Sequence, residues 1–136
     1  MKIVTSAEGL AQELLDQGYQ TFTGVPDSGL RTFINDLNEL PVTHVTATWE
    51  AEAVAIATGA ELAGKRAVVY LQNAGLGHAI NPLTSLCLPW GITPLLVIGH
   101  RHSLPQHEVM GRVDADLLAL IGYDNAILVH GPNNES

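Results

Sequence analysis

The stretch Ala67-Val68-Val69-Tyr70-Leu71-Gln72-Asn73-Ala74-Gly75-Leu76-Gly77 decides the fold. Residues 67–71 are apolar without alternation, as in a strand covered on both faces. Two polar residues and two glycines follow at once and suit a tight turn. Apolar residues at helical spacing then run to about residue 88. A buried strand that ends in a Gly-rich turn and feeds a helix is the building unit of a parallel α/β sheet.

The same unit recurs in both directions along the chain. Residues 19–23 read as a strand, Gly24-Val25-Pro26-Asp27 as the turn beyond it, and Asp27 or Ser28 as the cap of a helix to about residue 38. Residues 44–48 are β-rich, and 49–63 form a helix ended by Gly64. Strands at 94–98 and 126–129 flank a helix at 114–121. Near the start, Thr5-Ser6-Ala7-Glu8 resembles a capping box for a helix that Gly18 ends. Residues 99–112 are the longest segment without periodicity, and such a loop is often functional. The expectation is one α/β domain over residues 3–130: a three-layer, open, mostly parallel sheet with helices on both faces, followed by a tail at 131–136.

The chain of 136 residues is 46% hydrophobic and 15% charged, which excludes a disordered polypeptide. So low a charge has two readings, a surface covered by a partner or a sheet buried on both faces. The net charge of -8 argues against nucleic acid or an anionic membrane as the main partner. A lone cysteine, Cys87, rules out an internal disulfide and reads as a buried structural thiol. No apolar run reaches membrane-spanning length and no signal-peptide pattern opens the sequence, so the expected location is cytoplasmic.

In open α/β sheets, ligands bind beyond the carboxyl ends of the strands. Gly24 to Ser28, Trp49-Glu50, Gln72 to His78 and Gly99-His100-Arg101-His102 all fall there. Glu50 stands among Ala47, Trp49, Ala51, Ala53 and Val54. A carboxylate in such apolar company loses water, which suits it to acid–base work; alternatively it is simply an anion at a helix N-terminus. Glu52 fits that solvated role better. The Asn73 to Gly77 turn either cradles a phosphate or only joins strand to helix; it is neither a Walker loop nor the dinucleotide fingerprint. The spacing of His78, His100, His102 and His107 matches no standard zinc arrangement, and no metal ligand is assigned.

The run Thr46-Ala47-Thr48-Trp49-Glu50-Ala51-Glu52-Ala53-Val54-Ala55 resembles the glutamate-bearing segment of thiamine-diphosphate-dependent decarboxylases. Tyr70 to Gly77, Asn81-Pro82-Leu83-Thr84-Ser85-Leu86, Gly24-Val25-Pro26-Asp27-Ser28 and Pro105-Gln106-His107 with Gly111-Arg112 resemble a narrower group, the phosphonopyruvate and sulfopyruvate decarboxylases. The likeness covers about residues 6–129. It implies a pyrimidine-binding domain in which Glu50 shares a proton with N1′ of the cofactor's aminopyrimidine, favouring the imino form that activates the cofactor. Val25, Pro26, Gln72, Asn73 and Leu76 would line the cofactor. The substrate would be a three-carbon 2-oxoacid with an anionic C3 group, near Asp27, Ser28, Asn73, His78, His100, Arg101, His102, Gln106 and His107. Arg101 and Arg112 are either guanidinium partners of that anion or ordinary surface ion pairs.

Relatives hold Mg2+ and the diphosphate with a Gly-Asp-Gly motif in a second domain, and this sequence contains no Gly-Asp-Gly. The resemblance therefore implies the alpha subunit of a hetero-oligomer whose beta subunit carries that domain. It departs from the phosphonopyruvate pattern at residues 100–105, where the loop is shorter, and at His78, where relatives usually carry Asn. Phosphonopyruvate decarboxylase leads, sulfopyruvate decarboxylase is its rival, and a non-catalytic regulatory subunit of the same fold is a third reading.

Overall fold

The computed structural model describes residues 1–131. Elements follow in the order β1 (Lys2–Val4), α1 (Leu10–Asp16), β2 (Thr21–Gly24), α2 (Arg31–Glu39), β3 (Thr43–Thr46), α3 (Glu50–Leu62) and β4 (Ala67–Gln72). Then come α4 (Leu76–Pro82), α5 (Leu88–Trp90), β5 (Leu95–Gly99), α6 (Glu108–Ile121) and β6 (Ala126–Val129). The strands form one sheet in the order β1-β6-β5-β4-β2-β3, and every pairing is parallel. A sheet expected to be mostly parallel is parallel throughout.

Alternation along each strand sends side chains to two cores. Val68 and Tyr70 of β4 join Phe22, Phe33, Leu37, Leu10 and Leu14 beneath α1 and α2. Val69 and Leu71 join Ala53, Val54, Ala57, Leu76, Leu83 and Leu118 beneath α3, α4 and α6. Three layers result, α over β over α. All strands point the same way, so the segments after β2, β3, β4 and β5 emerge on one edge.

Four details differ from the sequence reading. β1 was not foreseen: it is a three-residue edge strand, too short and too exposed to show a pattern. The Thr5–Glu8 box does not cap α1; Ser6 Oγ accepts the Glu8 backbone N–H at 3.0 Å, and the helix starts later, after Gly9. Neither Asp27 nor Ser28 caps α2, because both face Arg101 instead. Helix α6 begins at Glu108, so much of the 99–112 loop is helical. Gly111 hid that turn. A Cβ there would lie 2.5 Å from His102 Cβ, so glycine is what lets the loop after β5 cross against the helix. Of the tail read at 131–136, residues 132–136 lie outside the described residues.

A π turn (Leu83–Cys87) joins α4 to α5, and Cys87 is buried there beside Thr58 Oγ1 at 3.4 Å. Burial pushes its thiol up from the ordinary range, as suits an inert core residue.

Candidate active site at the carboxyl edge of the sheet

Two groups of side chains occupy this edge. The first centres on Glu50, the opening residue of α3. It is 8% exposed although its side chain ends in a carboxyl group. Its Cγ and Cδ press on Gly75, where an added Cβ would come within 2.6 Å and 2.8 Å. Glycine at 75 is therefore a steric condition for this position of the carboxylate. Oε2 of Glu50 receives a hydrogen bond from His78 Nδ1 at 3.2 Å. The His78 side chain is 62% exposed, and Trp49, itself half exposed, lies 5.7 Å from it ring to ring. The neighbouring Glu52 takes the expected solvated role, accepting from Thr48 N–H at 2.9 Å and from its hydroxyl at 3.1 Å.

The second group is a buried polar network. Arg101 Nη2 donates to Asp27 Oδ1 at 2.5 Å and to Ser28 Oγ at 2.6 Å. Asn73 Nδ2 donates to the Arg101 carbonyl at 2.8 Å and to Asp114 Oδ2 at 3.0 Å. His100 Nδ1 donates to the same Asp114 oxygen. Turns after β2, β4 and β5 are thus tied to one another and to α6. Asp27 Oδ2, Asn73 Oδ1 and Arg101 Nε are buried with no hydrogen-bond partner among the described residues.

Of the residues singled out by sequence, Asp27, Ser28, Asn73 and Arg101 come together in this network, and Glu50 and His78 in the first group. Leu76 is fully buried in the core. Val25, Pro26 and Gln72 stand at the strand ends with partial or full exposure. Gln106 and His107 lie on the short turn Pro105–His107, where His107 Nδ1 is buried and unpartnered among the described residues. Arg112 is exposed and meets Glu108 one helical turn away at 3.4 Å. Arg101 is no surface ion pair: it is 8% exposed, and its Nη2 is committed within the chain. Sequence reasoning placed Trp49 at this edge but missed its contact with His78, Gly75 as the seat of Glu50, and Asp114. Trp49 and Gly75 sit beside recognised residues; Asp114 is an acidic residue on an amphipathic helix and gave no signal.

A shallow pocket of ≈ 280 Å³ lies beside the turn after β2, lined by Pro26, Asp27, Ser28, Arg31, Ile34 and Asn35. A larger one, ≈ 440 Å³, opens at the opposite edge around Tyr19, Glu61, Arg66 and Asn125. It holds none of the candidate groups, and Arg66 there is spent on the Tyr19 ring and the Gln17 carbonyl. The carboxyl edge is the better site despite its smaller cavity. Among the described residues no cluster of three His, Cys, Asp or Glu side chains could hold a metal ion.

A parallel three-layer sheet with a buried glutamate at its carboxyl edge matches a known class. The family described as thiamine pyrophosphate enzyme, N-terminal TPP binding domain, matches residues 4–119, and the chain belongs to it. Among its relatives, the chain is 35% identical over 104 residues to sulfopyruvate decarboxylase subunit alpha of Methanococcus maripaludis, covering 76% of this chain and 62% of that protein. It is 41% identical over 120 residues to phosphonopyruvate decarboxylase of Streptomyces viridochromogenes, covering 84% of this chain and 30% of that one. A sulfopyruvate decarboxylase subunit alpha of Methanothermobacter thermautotrophicus is 32% identical over 123 residues, covering 87% of this chain and 74% of that protein. In structure, the chain superposes on 2-oxoglutarate:ferredoxin oxidoreductase from Magnetococcus marinus with a TM-score of 0.62 at 16% identity, over 92% of this chain and 28% of that one. That likeness shows the fold.

Proposed function

We propose that this chain is the pyrimidine-binding part of a thiamine-diphosphate-dependent 2-oxoacid decarboxylase, converting phosphonopyruvate to phosphonoacetaldehyde and carbon dioxide. The observation that carries this reading is Glu50: a carboxylate held at the edge by Gly75, with one oxygen bonded to an exposed histidine. The donor set fits the cofactor's aminopyrimidine, because a carboxyl group in a water-poor seat can share a proton with a ring nitrogen. When bound, thiamine diphosphate supplies the electron sink for loss of carbon dioxide. Glu50 would hold the proton at its carboxyl oxygen. His78, braced by Trp49, orients that oxygen. Val25, Pro26, Gln72, Asn73 and Leu76 support the cofactor side. Ser28, Gln106 and His107 are candidates for contacts to the substrate, with Asp27 and Arg101 acting as a pair.

Relatives named as alpha subunits support a second polypeptide that completes the site. It would carry the diphosphate-binding domain and the Mg2+, in a cytoplasmic hetero-oligomer. Sulfopyruvate decarboxylation is a second reading, favoured by those same alpha-subunit relatives at 32–36% identity. The test is to co-express the chain with such a partner and assay carbon dioxide and aldehyde release from both oxoacids. Turnover of phosphonopyruvate supports the leading reading, and turnover of sulfopyruvate alone moves the assignment to the second. Turnover of neither removes both.

A further inference from the structure

Asp114 belongs to none of the proposed contacts, yet it is 2% exposed and three donors converge on it. Oδ2 accepts from His100 Nδ1 at 2.5 Å and from Asn73 Nδ2 at 3.0 Å, and Oδ1 from the Ala115 N–H at 2.7 Å. The links to His100 and Asn73 lead to the turns after β5 and β4 at the carboxyl edge. Asn73 passes the contact on to the Arg101 carbonyl, and Arg101 passes it on to Asp27 and Ser28. His100 is sandwiched: His130 stacks on it at 3.8 Å with the rings 2° from parallel, and His102 stacks at 5.1 Å. Stacking fixes the plane of the ring, and the carboxylate fixes which nitrogen carries hydrogen.

We propose that Asp114 is a positioning residue: by holding His100 with Nδ1 protonated and clamping the Asn73 amide, it sets where Arg101, Asp27 and Ser28 stand toward the substrate. The proposal rests on reading this edge as the substrate side. Both long-range donors use the same oxygen of Asp114, so a leucine at 114, close in size, removes their shared acceptor. His100 Nδ1–H and the Asn73 amide then lose the group that holds them, and the Arg101 carbonyl is no longer tied to α6. Gly111 strengthens the case from the other side, because a Cβ there would lie 2.8 Å from that same carbonyl oxygen. Helix α6 therefore holds the loop by contact at Gly111 and by hydrogen bonds at Asp114.

The test uses Asp114→Leu and His100→Phe, with two independent readouts. In the full chain, nitrogen-15 NMR of the histidine rings should show His100 protonated at Nδ1. Asp114→Leu should move that proton to Nε2 or shift the Arg101 side-chain N–H resonances. A bare Nδ1 in the wild type overturns the proposal, as does a variant in which neither signal moves. In the enzyme assembled with its partner, KM for the oxoacid should rise about tenfold or more in both variants, with kcat changing less than KM, since misplaced positioning groups weaken binding geometry before chemistry. An unchanged KM in His100→Phe, or a loss confined to kcat, overturns it. Should Asp114→Leu fail to fold, the wild-type ring spectrum and His100→Phe still decide. If the assembled enzyme turns over no oxoacid, the functional reading falls, while the NMR readouts still judge the network.

Discussion

At the scale of single residues, the carboxyl edge carries two polar pairs of different exposure. Glu50 and His78 form an open pair with exposed surface on one side, while Arg101 and Asp27 are enclosed. A buried charge that loses its partner is costly, so Arg101→Ala should destabilise the fold by about 3–5 kcal/mol. Chemical denaturation checks this. An unchanged midpoint would mean that Arg101 is instead a free receptor for the substrate anion. Cys87 makes the contrasting prediction. Its thiol is buried and pushed up by burial, so a disulfide exchange reagent should leave it unlabelled in the native protein and label it on unfolding.

At the scale of elements, the sequence was most legible where one force dominated. Residues 67–71 had to be a buried strand because no face of them is polar, and β4 lies there. Gly24-Val25-Pro26-Asp27-Ser28 announced a turn, and its place beyond β2 follows from a parallel sheet. Glu50 could be singled out because an acid in apolar company is rare enough to need a reason. The rest was hidden by contacts distant in sequence. The start of α6 was obscured by Gly111, whose reason is His102 packed against it. The Asp27 and Ser28 oxygens looked like helix caps but serve Arg101, 73 or 74 positions away. Local pattern cannot distinguish a cap from a long-range partner, since the same short polar side chain does both. Edge strand β1 pairs with β6 and carries three residues, too few to show a period.

At the scale of the whole molecule, the histidines link stability to pH. Burial holds His44 and His130 below the ordinary 6.5, with the neighbouring His100 adding to the effect at His130 and Asp114 opposing it. The unfolded chain then binds more protons as the solution is acidified. The stability these neutral rings contribute is whole above 6.5 and is lost as pH falls through their folded values. Urea midpoints should therefore drop on acidification, and His44→Asn should flatten the slope; a midpoint that rises instead would contradict this. The proposed function turns on one proton at one carboxylate, in a site that a second polypeptide would complete. The most direct measurement is turnover of the assembled enzyme carrying Glu50→Gln, with assembly verified by sedimentation. The amide keeps size and shape but cannot exchange the proton, so kcat should fall about 10²–10⁴-fold while folding and assembly stay unchanged. Near-wild-type turnover in that variant would contradict the account.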